Sequence, residues 1–188
     1  DRVSLRTPRM PASDVAVEER PAPSASVEPV VNDFSIQVAT VNGSGSQTAN
    51  LVLLRAIFQM GVPVSGKNMF PSNIAGLPTW FTIRTNKDGY IGWKKKTEVL
   101  VAMNPETARE DTLNLDADSM VVYDESLKLD SVRSDLVFYP VPFDRLVAEV
   151  TRDVKMRRRI RNMIYDGVLS RLLGVELDQM EVALRKHC

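Results

Sequence analysis

At 188 residues the chain is long enough for one α/β domain with a buried core and some extra segments, and too short for two large domains. Twenty-four basic and 24 acidic residues cancel, which argues against a protein that lives on nucleic acid, where a basic excess is usual. The apolar runs, such as those at 51–54 and 136–143, are far too short to span a bilayer, and the only cysteine, Cys188, leaves no disulfide framework and no cysteine-held zinc or iron–sulfur site. A cytoplasmic protein is the expectation.

Residues 1–32 carry Pro8, Pro11, Pro21, Pro23 and Pro29 and no aromatic residue. Such a stretch has too little apolar surface to offset the entropy of ordering, so it reads as a linker or an arm laid on a partner. Asp14, Glu18, Glu19 and Glu28 argue against a transit peptide. The chain starts at Asp1 and stops at Cys188 straight after a helical pattern, so a fragment of a longer polypeptide is expected.

Order is expected from residue 33 onward. Residues 34–41 read as a strand that ends in the turn Asn42-Gly43-Ser44-Gly45. Residues 47–60 then read as a helix with Leu51, Leu54, Ile57 and Phe58 on its buried stripe, stopped by Gly61. Residues 65–79, rich in Gly, Pro, Ser and Asn, read as one long loop near the glycine turn. Strands are expected at 80–85, 99–103, 120–123 and 136–139. Asn104 and Pro105 look like an N-cap and first residue of a helix. A longer helix is expected over 153–173, with Met156, Ile160, Met163, Ile164, Val168, Leu169 and Leu172 at helical spacing and Gly174 as its stop. A last helix through Lys186 has Asp178 and Glu181 as a capping pair. Strands alternating with helices predict an α/β fold: a Rossmann-like, mostly parallel sheet with helices on both faces and a helical C-terminal end.

The glycine turn is the most informative motif. A turn poor in side chains between strand and helix lets backbone N–H groups approach a phosphate at the positive helix end. Gly43 and Gly45 match the first two glycines of G-x-G-x-x-G, while Thr48 stands at the third, so a sharp turn with no ligand fits the residues equally well. A nicotinamide site usually has an acid some 20 residues on, to bond the ribose. Between Asp33 and Asp88 there is none, and the same stretch carries Arg55, Lys67, Arg84 and Lys87. That balance suits an anion better than a ribose hydroxyl, although each cation alone is equally a solvated surface group. Two basic runs, 94–96 and 155–161, lack the interleaved aromatics of single-strand binders and read as solvated faces or as docking sites for an acidic partner. His187 is the only histidine, so a catalytic triad or dyad is not expected.

Several stretches resemble a known family. Val41 to Gln47 is similar to its glycine turn, and Pro71-Ser72-Asn73-Ile74-Ala75-Gly76-Leu77-Pro78-Thr79-Trp80 is the most specific match. Ile83-Arg84, Asp88-Gly89-Tyr90, Arg161-Asn162-Met163 and Leu172-Leu173-Gly174 continue the likeness. Together they resemble the gamma domain of 2-oxoacid:ferredoxin oxidoreductases, most closely the 2-oxoglutarate type in which this domain is fused ahead of the alpha domain. The resemblance implies a Rossmann-like module, residues 33–188, that packs on the alpha and beta thiamine-binding parts and helps to bind coenzyme A. The complete enzymes convert a 2-oxoacid and coenzyme A into acyl-CoA and carbon dioxide and reduce ferredoxin. Thiamine diphosphate, magnesium and [4Fe-4S] clusters are then expected in partner domains, because this chain has neither the Gly-Asp-Gly metal motif nor cluster cysteines. Site residues implied here are Gly43, Ser44, Gly45, Ser46 and Gln47 for coenzyme A or another anion, with Lys67 and Arg84 behind them. A stand-alone nucleotide-binding module and a purely structural docking module are the competing readings.

Overall fold

A computed structural model describes residues 31–70 and 74–186. The expectations for residues 1–30, for Pro71, Ser72 and Asn73, and for His187 and Cys188 therefore lie outside the described residues.

The first strand, β1 (Asp33–Val41), is buried along nearly its whole length, which places it inside a sheet rather than at its edge. Its even-numbered residues Phe34, Ile36 and Val38 enter one hydrophobic cluster and Ala39 enters another on the opposite face, as the two-residue period of a strand requires. The glycine turn carries the chain into α1 (Ser46–Gln59), which packs Ala49, Val52, Leu53, Ala56 and Ile57 on the sheet. The buried stripe thus differs from the expected one. Leu51 and Leu54 are only partly buried, and Phe58 is 67% exposed.

The expected long loop over 65–79 is a hairpin instead. β2 (Val64–Met69) pairs antiparallel with β3 (Pro78–Asn86), in register from Val64↔Thr85 to Met69↔Trp80. β3 also pairs antiparallel with β1. β4 (Val99–Ala102), β5 (Met120–Asp124) and β6 (Val137–Val141) follow in parallel with β1. The order is β2-β3-β1-β4-β5-β6, and β3 alone runs against the rest. β6 starts one residue later than expected and continues through Pro140, which an edge strand tolerates because its outer side needs no donor.

Helices cover both faces. α1, α3 (Phe143–Val150), α4 (Val154–Leu173) and α5 (Leu177–Arg185) pack on one, and α2 (Ala108–Leu113) lies on the other with Leu115, Leu129 and Leu136. α2 begins later than Asn104-Pro105 suggests. The Asn104 side chain accepts from the Glu106 amide at 3.0 Å, closing a turn of its own before the helix starts. α3, unmarked in the sequence reading, starts directly after Pro142. α4 is capped by Asp153, which accepts from the Lys155 and Met156 amides, and ends on Gly174 in the left-handed region at φ 70°. Its buried face is largely polar: Asn162, Tyr165, Asp166, Leu169 and Ser170. Asp178 and Glu181 do not form a capping pair on α5; Glu181 instead accepts from Arg185, one turn on.

Candidate functional site

The strand order reverses at β1, whose neighbours β3 and β4 belong to different halves of the sheet. A crevice beyond the strand ends at such a point is where open α/β sheets bind ligands. Here it holds the glycine turn. Gly43 (φ 84°) and Gly45 (φ 80°) both occupy the left-handed region, which a side chain would strain, and that is why glycine recurs two residues apart. The turn is fixed from three directions. The Ser44 amide donates back to the Val41 carbonyl at 3.1 Å. The hairpin holds its outer side: the Asn42 amide donates to Leu77 at 2.8 Å, the Gly76 amide to Asn42 at 2.9 Å, and the Asn42 side-chain amide to the Ile74 carbonyl at 3.0 Å. α4 holds its inner side, where the Asn162 side-chain amide donates to the Ser44 carbonyl at 3.1 Å.

Beneath the turn, Thr40 and Ser46 join hydroxyls at 2.9 Å, tying the end of β1 to the start of α1. The Tyr165 hydroxyl lies 2.9 Å from the Asn50 side-chain oxygen on α1. Burial pushes the Tyr165 hydroxyl and the neighbouring Asp166 carboxyl well above their ordinary pKa values. Among the described residues no side chain caps the first turn of α1, and that turn carries no acidic residue, so its positive dipole end lies at the crevice without a facing acid of its own.

Two clefts flank the turn. The larger, about 430 Å³, lies between Gly43, Ser44, Gly76 and Met103 on one side and Arg158, Arg161 and Asn162 on the other. The smaller, about 100 Å³, runs past Gly45, Ser46 and Gln47 towards Asn68 and Thr79. The Asn68 side chain donates to Gln47 at 2.9 Å and so joins the hairpin to α1. Arg161 is already committed. It bonds Asp124 at the end of β5, meets Asp144 of α3 at 2.5 Å, and lies over the Phe143 ring at 5.2 Å. Arg158, which also lines the larger cleft, forms no ion pair among the described residues.

Gly43, Ser44, Gly45, Ser46 and Gln47 therefore sit together at the crevice. Lys67 and Arg84 do not. Gly66 and Asn68 face α1, so Lys67 between them points to the other side of the sheet. Arg84 pairs across to Ser35 near the opposite end of β1, where it is buried and bonds Asp33 at 2.5 Å and the Phe34 and Thr85 carbonyls. The guanidinium beside Asp33 holds that carboxyl below its usual range. Arg84 is thus part of the packing of the β1–β3 pair. Lys94, from the first basic run, is likewise paired, with Glu98 at 2.6 Å. Reasoning from sequence did not single out Arg158, Arg161 and Asn162, which line the larger cleft. The signal available was the Arg161-Asn162-Met163 stretch of the resemblance, not any local pattern. Among the described residues no group of three His, Cys, Asp or Glu side chains could hold a metal, and no helix is long and apolar enough to cross a membrane.

Residues 35–188 match the family model for pyruvate ferredoxin/flavodoxin oxidoreductase. The chain belongs to that family. Among solved structures it is similar to the 2-oxoglutarate:ferredoxin oxidoreductase of Magnetococcus marinus with 2-oxoglutarate, coenzyme A and succinyl-CoA bound, at TM-score 0.67 and 21% identity over 82% of this chain. It spans 27% of that polypeptide. It is also similar to a pyruvate oxidoreductase subunit of Thermotoga maritima (TM-score 0.64, 18% identity, 84% of this chain and 86% of that one). A third is the gamma subunit of a keto/oxoacid ferredoxin oxidoreductase of Geobacter sulfurreducens (TM-score 0.65, 14% identity, 82% and 86%). No curated protein matches the sequence. Family membership and the fold of its gamma subunits account for the α/β sheet with its helical C-terminal end.

Proposed function

We propose that the chain is the gamma-type part of a cytoplasmic 2-oxoacid:ferredoxin oxidoreductase acting on 2-oxoglutarate, and that its glycine-turn crevice binds phosphate groups of coenzyme A. In this reading residues 33–188 are the domain and residues 1–32 a linker or an arm. The observation that carries the ligand reading is the gathering of three features around one turn: the left-handed Gly43 and Gly45, the acid-free start of α1 on the smaller cleft, and Arg158 across the larger cleft of about 430 Å³. A polyanion satisfies all three at once, whereas a nicotinamide ribose would find no acid to bond. Thiamine diphosphate, magnesium, the [4Fe-4S] clusters and the ferredoxin contact belong in this reading to the alpha, beta and other parts of the complex.

The test is steady-state kinetics of the assembled complex, purified without oxygen. Arg158→Ala is expected to raise KM for coenzyme A on the order of tenfold with kcat little changed, because a charge-assisted contact to a non-reacting phosphate contributes to uniform binding. An unchanged KM would remove the crevice from the coenzyme A site. Comparing kcat/KM for 2-oxoglutarate and pyruvate tests the substrate separately, with 2-oxoglutarate expected to be preferred.

A further inference from the structure

The charges of this chain cancel overall, yet residues 152–161 carry Arg152, Lys155, Arg157, Arg158, Arg159 and Arg161 against the single acid Asp153. These cations stand at the wrong end of a helix. The N-terminus of α4 is the positive end of its dipole, where cations are unfavourable, and Lys155 and Arg159 are like charges one turn apart. Arg161 alone is neutralised internally, by Asp124 and Asp144. Among the described residues Arg152, Lys155, Arg157 and Arg159 form no ion pair. The core does not require this arrangement. Every residue of α4 from Val154 to Arg159 is exposed, and the first buried one is Asn162. The first turns of the helix stand clear of the sheet beside the crevice.

Apolar side chains share this surface. Val150 at the end of α3, Val154 and Met156 are 66%, 74% and 44% exposed. A phosphate backbone could neutralise the cations but would leave these three in water, and no aromatic residue is interleaved for a base to stack on. A protein surface that presents carboxylates among apolar residues would satisfy both. A local arrangement that opposes folding rules without internal compensation is expected where function demands it.

We infer that the projecting start of α4, with Arg152, Lys155, Arg157 and Arg159 around Val150, Val154 and Met156, is the docking surface for an acidic face of a partner protein. The surface is separate from the crevice, and the inference does not depend on which ligand fills it.

Zero-length carbodiimide coupling tests it, because this reagent joins a lysine only to a carboxylate in direct contact. The full chain in its isolated complex is coupled and the joined peptides are identified by mass spectrometry, alongside the double variant Arg157→Glu, Arg159→Glu. Lys155 is expected to join an Asp or Glu of another polypeptide. The double variant is expected to weaken that assembly on the order of tenfold at about 50 mM salt, with the difference fading towards about 500 mM. Arg157→Gln, Arg159→Gln keeps the exposed helix free of new acids and is expected to show a smaller loss in the same direction. Lys155 coupling only within its own polypeptide, or an assembly indifferent to both variants, overturns the inference. Binding to phosphatidylserine vesicles or duplex DNA that the double variant abolishes, with no protein coupled, overturns it in favour of a membrane or nucleic acid. A complex that contains thiamine-binding parts while Lys155 stays uncoupled defeats this inference and leaves the enzymatic reading standing. Coupling to an acidic protein unrelated to such an enzyme does the reverse.

Discussion

Asn162 and Tyr165 reach across from α4 to the glycine turn and to α1, more than a hundred residues earlier in the chain. Both are buried, and each satisfies an acceptor: the part-buried Ser44 carbonyl for Asn162, the buried Asn50 side-chain oxygen for Tyr165. The Tyr165 hydroxyl has one proton to give, and the 2.9 Å contact with Asn50 is far better than its 3.5 Å contact with the Ser46 carbonyl. Tyr165→Phe deletes that donor and leaves the shape almost unchanged. A lost bond to a buried acceptor costs about 1–2 kcal/mol, so the variant is expected to unfold at correspondingly lower urea concentration with an unaltered slope. A variant as stable as the parent would show that Asn50 draws its hydrogen bond from elsewhere. Arg84 illustrates the opposite situation. A cation in an acid-free stretch suggests an anion site, but the strand register brings Asp33, from just outside that stretch, against it.

At the scale of elements the β2–β3 hairpin explains most about the site, since its end segment straps the glycine turn. Its first strand depends on Gly66. A Cβ there would lie 2.4 Å from the Leu54 methyl on α1 and 2.7 Å from the Phe81 ring, so the helix and the ring press against bare backbone. Gly66→Val is expected to push β2 away from α1 and to cost about 1–3 kcal/mol, the usual range for overpacking. Faster amide hydrogen exchange from Val64 to Met69 than elsewhere in the sheet would report the displacement, and unchanged exchange would mean that Leu54 and Phe81 swing aside freely. The same strand marks the limit of what the sequence discloses. Ser65, Gly66, Lys67 and Asn68 are poor strand formers, and only pairing with β3 makes them one. β1, the turn and α1 were legible because a β-rich run, two glycines and an apolar helix sit side by side. α4 was legible from its spacing and from Gly174. Its direction was not: the apolar residues that announce it include the exposed Met156, while its buried face presents Asn162, Tyr165 and Asp166. α3 was hidden because Pro140 and Pro142 suggest a loop, although one lies on an edge strand and the other just ahead of a helix. Of the site, the turn could be read locally, whereas Arg158 and Asn162 reach it only through the fold.

For the molecule as a whole, the packing of α4 on α1 and the sheet encloses a carboxyl group. Asp166 is 1% exposed, and neither of its oxygens has a hydrogen-bond partner among the described residues. A charge in that position would be costly, and burial holds the group protonated far above the ordinary carboxylate range. The consequence for stability has a definite sign. Below about pH 4 the folded and unfolded chains both carry the proton. Above it the unfolded chain releases the proton while the folded chain keeps it, so stability is fully present at acid pH and declines as pH rises towards the folded-state value. Each pH unit in that window costs up to about 1.4 kcal/mol from this group. Asp33 and Asp135, held below their usual range by Arg84 and Arg133, work the other way, gaining stability as they ionise, so the parent protein shows only the balance. Comparison with Asp166→Asn removes that ambiguity, because the variant shares every other titration. The stability difference between variant and parent is expected to grow in favour of the variant as pH rises above the ordinary carboxylate range, measured as urea midpoints at fixed ionic strength. Parallel curves would mean that Asp166 ionises inside the fold, and α4 would then have to admit water or a cation at the centre of its packed face.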